Sequence, residues 1–209
     1  LRSNRFAHHH THTLACLLAR LLGDSLLCWI MGGSGRGNGG QKRKNQGQRW
    51  DATYHDISVI NQEKEMLDKG WCRVRDLADL RKEKPDLIKG DFSYIDIDSV
   101  DSRTGFCFPK IRNHENRPSR AQRLVFTGDV LVSLVRPGRR CILFIDTDLD
   151  GAVCTTGFGV LSSESEIISA WVFRQLLSSF STAQLSRRAR STMYPTINPD
   201  DLLDIIIPP

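Results

Sequence analysis

The sequence predicts an α+β fold, with a mixed, curved sheet or partial barrel, packed helices and a flexible N-terminal segment before it. Two observations predict this class. From residue 71 onward, short apolar segments alternate with turn-forming residues, which is typical of β-strands. One longer segment, residues 166–178, repeats apolar side chains with the period of an α-helix. Many strands with one clear helix favour a mixed domain built on a curved sheet.

Composition divides the 209 residues into three zones. Residues 1–49 are predicted to be a poorly structured or unrelated N-terminal segment, which ends in a Gly-rich, basic linker at residues 32–49. Residues 50–70 are predicted to connect this segment to the rest of the chain. Residues 71–209 are predicted to form the globular domain, because this length is sufficient to bury a stable core.

The most hydrophobic segment, residues 14–31, contains Arg20 and Asp24. A helix that spans a bilayer needs about 20 apolar residues without central charges. We therefore interpret this segment as an amphipathic helix or as poorly determined sequence, and we predict no membrane association. The six cysteines form no CxxC pair and indicate no disulfide framework, so we interpret them as buried or incidental thiols of a cytoplasmic protein.

Local patterns predict the first strands in chain order. Residues 71–78 (WCRVRDLA) predict a short strand or turn that leads into a helix-like stretch. Residues 92–100 (FSYIDIDSV) predict a half-buried strand, because apolar and polar residues alternate, and residues 101–105 predict a turn. Residues 122–135 (QRLVFTGDVLVSLV) predict two strands around the turn Thr127-Gly128-Asp129.

The same kinds of local pattern predict the strands and the helix of the C-terminal half. Residues 141–145 (CILFI) predict a short buried strand, and residues 152–161 (AVCTTGFGVL) predict another. The helix at residues 166–178 follows a group of serines that are suited to cap it. Residues 201–207 (DLLDIII) predict an apolar strand that is ended by Pro208 and Pro209.

Motifs for catalysis or metal binding are lacking in the sequence. It has no GxxxxGK[ST] phosphate loop, no GxSxG nucleophile elbow and no Asn/Asp-Pro-Pro-aromatic loop of an adenine methyltransferase. The best candidate for a metal is the acidic group Asp91, Asp96, Asp98 and Asp101, which we interpret instead as a solvated strand face and turn. We predict no catalytic residue, no metal and no cofactor in this chain.

Positive charge is the main functional signal. The net charge is +5 and the isoelectric point is near 9.0, which is compatible with a polyanionic partner without requiring one. Between residues 110 and 140, eight basic and two acidic residues give a local charge of +6, and a second basic group is Arg187, Arg188 and Arg190. Arginine can hold a phosphate or a guanine edge through two parallel hydrogen bonds, and asparagine pairs with adenine. Charge alone does not separate a nucleic-acid interface from a solvated basic loop.

Four ordered segments resemble the specificity subunits of type I restriction-modification systems. The segments are FSYIDIDSVD (92–101), RPSRAQRLVFTGDVLVSLVRPGRR (117–140), DLDGAVCTTGFGVL (148–161) and RSTMYPTINPDDLLDIIIPP (190–209). Their order and spacing carry the resemblance, which covers about two-thirds of the chain. It implies a single DNA target-recognition domain at residues 71–209.

The resemblance implies sequence-specific binding of double-stranded DNA by a subunit that is not itself catalytic. Such a subunit usually carries two recognition domains, each of which reads one half of a split target, separated by long spacer helices. It assembles with DNA adenine methyltransferase (modification) subunits that use S-adenosylmethionine, and with restriction subunits that use ATP and Mg²⁺. A single recognition domain implies a homodimer or a second half-subunit as a further partner.

The resemblance also implies that the DNA contacts lie in polar and basic loops between the scaffold strands. The predicted contacts to phosphates or bases are Arg117, Arg120, Arg123, Arg136, Arg139 and Arg140, with Asn113, Asn116, Arg188, Arg190 and Tyr194 as secondary candidates. Two alternatives stay open at this point. One is a fragment of a DNA methyltransferase or nuclease fused to a recognition domain, and the other is a defunct fragment that acts only as an interaction module.

Overall fold

The computed structural model describes residues 52–85, 90–190 and 193–209. The strands in these residues are β1 (Cys72–Arg73), β2 (Asp79–Leu80), β3 (Asp91–Ile95), β4 (Lys110–Asn113), β5 (Ala121–Leu124), β6 (Val130–Ser133), β7 (Ile142–Phe144), β8 (Val153–Thr155), β9 (Phe158–Ser162) and β10 (Ile206–Ile207). The α-helices are α1 (Ile57–Asp68), α2 (Glu166–Leu176), α3 (Ser179–Arg188) and α4 (Pro199–Leu203). The predicted N-terminal segment, with its apolar run and Gly-rich linker, lies outside the described residues.

Two four-stranded sheets form the scaffold. The central sheet has the order β2-β9-β6-β7 and is antiparallel throughout. The outer sheet has the order β4-β3-β8-β5, in which β3 and β8 are parallel and the other pairs are antiparallel. Strands β1 and β10 form a separate antiparallel pair. In the described part of the chain these sheets do not close into a barrel, and the predicted α+β class with mixed sheets is confirmed.

The central sheet is buried on both faces, which explains why β6 is apolar at successive positions. Val130 and Val132 belong to one apolar cluster with Val172 and Leu176 of α2, so this face packs against the helices. Leu131 points the other way, into a second cluster that includes residues of the outer sheet. The core is therefore built in three layers: helices, central sheet and outer sheet.

Three predicted strands differ from the structure. Residues 152–161 form two strands, β8 and β9, which meet at a turn through Thr156 and Gly157. The strand predicted at residues 92–100 ends at Ile95, because a short 3-10 turn follows at Ile97–Ser99. The strand predicted at residues 201–207 begins as helix α4, which Asn198 caps and Pro199 starts, before β10 forms.

Two helices besides α4 are not predicted from the sequence. Residues 50–70 were interpreted as a connection, yet they contain α1, which Asp56 caps and which packs against α3 and β10. The predicted helix at residues 166–178 ends at Leu176, and Ser178 caps the separate helix α3. Among the described residues, no helix is both long and apolar enough to cross a membrane.

Replacement of Gly159 by Ala is expected to lower the free energy of unfolding by about 1–3 kcal/mol. A Cβ atom at this position of β9 would lie 2.3 Å from Cδ1 of Leu202 and 3.3 Å from Cδ2 of Leu134, and both leucines are buried. Urea unfolding measures the change. Gly138→Ala is the matched control, since its added methyl group would meet nothing closer than 3.6 Å, and equal stability losses in both variants would contradict the expectation.

Candidate nucleic-acid interface

Two loops that are distant in sequence are joined at one end of the domain. The arginine loop, residues 135–140, connects β6 to β7, and the tyrosine segment, residues 193–196, precedes α4. The Arg136 amide donates a hydrogen bond to the Pro195 carbonyl at 2.7 Å, and Val135 pairs with Thr196 in a β-bridge. Arg190 also pairs with Thr196. The structure therefore joins the arginine loop, with Arg136, Arg139 and Arg140, to the tyrosine segment, and the predicted contact Arg190 pairs with that segment.

The guanidinium of Arg136 lies over an aromatic ring. Its Cζ is 5.0 Å from the centroid of the Tyr194 ring, within the range of a cation–π interaction. The Tyr194 side chain is 62% exposed, so the pair lies at the surface. Arg139 and Arg140 are exposed on the same loop. This contact links two residues that the sequence analysis proposed separately.

The backbone of the arginine loop is unusual. Arg136 has φ 50° and ψ 58°, and Arg140 has φ 53° and ψ 38°, both in the left-handed region. They are the non-glycine residues with positive φ among those the structure describes. Such conformations cost on the order of 1–3 kcal/mol each and are concentrated at functional sites. A short 3-10 turn at Pro137–Arg139 and packing against α3 hold the loop in this shape.

Arg120 lies at the same end of the sheets as the arginine loop. The Arg120 carbonyl accepts a hydrogen bond from the Thr156 amide at 2.9 Å, in the turn between β8 and β9. The neighbouring Gly157 carbonyl accepts a hydrogen bond from the Leu134 amide at 2.8 Å, just before the arginine loop. The β8–β9 turn thus connects the backbone at Arg120 to the arginine loop, and the Arg120 side chain is exposed there.

Arg117 and Arg123 are partly buried and bind backbone carbonyls. Nε of Arg117 donates to the Ala121 carbonyl at 2.9 Å, and its Nη2 donates to the same oxygen. Nη1 of Arg123 donates to the Arg81 carbonyl at 3.4 Å. A guanidinium carries five N–H donors, so these contacts orient both side chains without using all of their donors.

The two predicted asparagines lie elsewhere. Asn113 ends β4 and pairs with Asp91 at the beginning of β3, at the opposite end of the outer sheet from Arg120. Its Oδ1 accepts from the Glu115 amide at 3.0 Å, and its Nδ2 donates to Asp91 at 2.8 Å. Asn116 follows in an exposed 3-10 turn. The structure does not bring either asparagine to the arginine loop.

Arg188 requires a correction. It is only 7% exposed, and its Nη1 donates to Oε1 of Glu63 at 2.7 Å and to the Gln184 carbonyl at 3.2 Å. Its Nη2 donates to the Asp204 carbonyl at 3.2 Å. A buried guanidinium that is bound to internal acceptors cannot contact DNA without breaking those bonds, so we remove Arg188 from the candidate contacts.

A basic cleft of about 300 Å³ lies between the two sheets. Lys82, Lys84 and Arg123 line it, together with Asp200 at the beginning of α4. The sequence does not single out these lysines, because the string RKEK lies outside the two basic groups at residues 110–140 and 187–190. Glu83, which lies between the two lysines in sequence, forms an ion pair with Arg81. Arg81 also pairs with Asp129. The two lysines extend the positive surface that Arg123 begins.

The acidic group near β3 shows internal pairing. Asp96 accepts hydrogen bonds from Nζ of Lys110 at 2.7 Å and from the Ser99 hydroxyl at 2.8 Å. Partial burial raises the pKa of Asp96, but the bonds from Lys110 and Ser99 outweigh it and hold the pKa below its ordinary value. Across residues 52–85, 90–190 and 193–209, no group of three or more His, Cys, Asp or Glu residues is arranged to hold a metal.

The cysteines of the described residues are free thiols. Cys141 and Cys154 are buried, and Cys72 and Cys107 are partly buried. Burial raises the pKa of Cys154 to about 12 and those of Cys107 and Cys141 to about 11, so these thiols stay protonated near neutral pH. Cys16 and Cys28 lie outside the described residues.

Comparison with known proteins points to one family. The chain is 32% identical over 100 residues to the Type I restriction enzyme HindI specificity subunit of Haemophilus influenzae, which covers 46% of this chain and 22% of that protein. The structure is similar to the HsdS subunit from Thermoanaerobacter tengcongensis, with a TM-score of 0.57, 30% identity and coverage of 66% of this chain and 37% of that chain. No protein-family model matches the chain.

A second solved structure, which concerns complex assembly and conformational transition of the type I R-M system, gives a TM-score of 0.51 and 28% identity. It covers 66% of this chain and 37% of that chain. The chain therefore spans about a fifth of the curated relative and over a third of each solved chain.

Fold and site together define a small α+β domain that carries basic loops on a rigid strand scaffold, a form typical of recognition domains. Within that class, the globular part of the chain is similar in sequence and in fold to part of the type I restriction-modification specificity subunits. The resemblance predicted from four sequence segments is confirmed.

Proposed function

We propose that residues 71–209 bind double-stranded DNA in a sequence-specific manner, as the specificity component of a type I restriction-modification complex. The observation that carries the proposal is the junction of the arginine loop with the tyrosine segment, where Arg136 lies over Tyr194 beside the exposed Arg139 and Arg140. Similarity to the HindI specificity subunit and to HsdS supports the same function.

The geometry suits DNA recognition for a physical reason. The ring of Tyr194 and the constrained backbone restrict the Arg136 side chain before DNA arrives, so less conformational entropy is lost on binding. Arg139 and Arg140 lie on a tight turn, which lets them reach adjacent phosphates and fix the position of the domain on the duplex. Arg120 and the lysines of the basic cleft extend this surface.

Catalysis is proposed to reside in partner subunits. A modification subunit that uses S-adenosylmethionine would methylate adenine, and a restriction subunit that uses ATP and Mg²⁺ would cleave DNA. A homodimer or a second half-subunit would read the other half of a split target, because one such domain presents one reading surface. Co-expression with a DNA adenine methyltransferase subunit tests the assembly, and a stable complex that methylates DNA only when both chains are present is expected.

Arg139→Ala is expected to reduce the salt dependence of DNA binding by about 0.9 in the slope of log K against log salt, because one phosphate contact is lost. The measurement is fluorescence anisotropy with a labelled pool of short random-sequence duplexes over a series of salt concentrations. Arg174→Ala removes the same charge from the exposed face of α2 and serves as the control, with an unchanged slope.

Sequence specificity is tested in the same system. Repeated selection of bound duplexes from the pool is expected to enrich a single short half-site. Absence of binding at low salt would overturn the proposed function, and binding without enrichment would limit it to non-specific DNA affinity. Equal slopes for wild type, Arg139→Ala and Arg174→Ala would remove the arginine loop from the interface.

A further inference from the structure

Two aromatic rings project from a short extended segment that the proposed function does not use. Residues 106–108, named here the aromatic hairpin, form one arm of a short hairpin whose other arm is residues 99–101. Two backbone hydrogen bonds join the arms. The Asp101 amide donates to the Phe106 carbonyl at 2.9 Å, and the Phe108 amide donates to the Ser99 carbonyl at 2.8 Å. Cys107 pairs with Val100 and packs against the core, so both phenylalanine rings point outward.

Both rings are exposed, although the backbone that carries them is hydrogen-bonded. Phe106 is 65% exposed and Phe108 is 71% exposed. The surrounding segment, residues 102–113, contains Arg103, Lys110 and Arg112. Arg103 forms an ion pair with Asp101 and Lys110 with Asp96, whereas Arg112 is exposed on β4. A surface that interleaves aromatic rings with cations is complementary to a ligand that has both flat apolar faces and negative charge. A nucleotide has both properties.

The spacing of the two rings also fits a base. Side chains two residues apart on one face of an extended strand are separated by about 6.6 Å along the strand. This is close to twice the stacking distance of about 3.4 Å between bases in DNA. One base therefore fits between two side chains at this spacing, with a ring on each face.

The aromatic hairpin adjoins the arginine loop. The Cys141 thiol, which directly follows Arg140, contacts the Ile97 carbonyl at 3.8 Å in the segment that leads to the hairpin. Cys107 packs against the buried cluster that contains Cys141, so both segments lie on the same part of the core. An unstacked base beside the arginine loop could thus reach the hairpin without a change in the fold.

We propose that Phe106 and Phe108 form a stacking site for a single unstacked nucleobase of DNA, next to the arginine loop. This proposal rests on the proposed DNA-binding function and adds a second type of contact to it. Arg112 would hold a phosphate that flanks the stacked base, and the rings would hold its faces.

The test compares two double variants of the full chain. Phe106→Leu with Phe108→Leu keeps the apolar surface but cannot stack, whereas Phe106→Trp with Phe108→Trp keeps stacking. The probe is a short single-stranded oligodeoxynucleotide that carries one 2-aminopurine, whose fluorescence is quenched by stacking. Ile111→Ala, which shortens another exposed apolar side chain on β4, is the control.

The leucine variant is expected to bind the single strand at least about fivefold more weakly, to lose the quenching and to keep the salt slope, since no charge changes. The tryptophan variant and Ile111→Ala should behave as wild type. Wild-type affinity and quenching in the leucine variant would overturn the stacking site, as would loss of affinity in Ile111→Ala to the same extent. If wild type binds duplex but not the single strand, the stacking site fails and the proposed function stands. If it binds neither, both fail.

Discussion

Replacement of Glu63 by Gln is expected to lower the free energy of unfolding by about 3–5 kcal/mol, although the residue lies in a segment that the sequence predicts to be a connection. Glu63 receives hydrogen bonds from Nη2 of Arg187 at 2.8 and 2.9 Å and from Nη1 of Arg188 at 2.7 Å, and all three residues are buried. The neutral amide would remove the negative charge that Glu63 supplies to two buried guanidinium groups. The side chain keeps nearly the same volume, so no cavity contributes to the loss.

Urea unfolding of the full chain, followed by circular dichroism, measures this effect. Glu65→Gln is the matched control on the same helix, because Glu65 pairs with Lys69 at the surface and such exposed pairs contribute about 0–1 kcal/mol. Similar midpoints for the two variants would show that the contact between α1 and α3 does not stabilise the domain. A large loss for Glu63→Gln alone would establish α1 as part of the folded unit.

Replacement of Asp129 by Ala is expected to cost about 3 kcal/mol of unfolding free energy. Asp129 is 2% exposed and forms a bidentate ion pair with Arg81. Its carboxylate accepts hydrogen bonds from Nε of Arg81 at 2.8 Å and from Nη2 at 3.1 Å. It also accepts from the Phe126 amide at 2.9 Å and so closes the turn before β6. Burial raises the pKa of Asp129, and Arg81 opposes this rise. Removal of the carboxylate leaves the Phe126 amide without its acceptor and reduces the polar partners of Arg81 to Glu83 and Ser162.

The control for this variant is Asp148→Ala, an exposed aspartate in another turn, for which a change within about 0.5 kcal/mol is expected. The same urea titration serves for both. A stability loss in Asp129→Ala no greater than in Asp148→Ala would contradict the assignment of this ion pair as a support of the central sheet. DNA binding of the folded Asp129→Ala fraction should be unchanged, because the residue lies at the end of β6 opposite to the arginine loop.

Local sequence predicted the elements whose pattern is complete within a few residues. Helix α2 was found because its apolar period and its serine cap are both local. Strands β5, β6 and β7 were found because short apolar segments flank recognisable turns. The strand prediction for the run DLLDIII is wrong in its first part, because seven residues that are mostly Leu and Ile are too few to separate a helical period from a strand. The cap at Asn198 and Pro199 was the signal that could have corrected it.

Helix α3 was missed for a different reason. Its sequence, SFSTAQLSRR, is polar, and the side chains that it buries include Gln184, Arg187 and Arg188. Gln184 exchanges hydrogen bonds with the backbone of Ile206, and the arginines bind Glu63 of α1. These acceptors are distant in sequence, so no local pattern could show that a polar helix would be buried.

The sequence by itself determined the class of the domain and the residue type of its candidate interface. Strand-sized apolar segments and an excess of arginine in the loops are local properties, as were the four segments that revealed the family resemblance. The tertiary structure decided which basic residues remain at the surface. It buried Arg188 against Glu63 and joined Arg136 to Tyr194, because both outcomes depend on chain segments that only folding brings together.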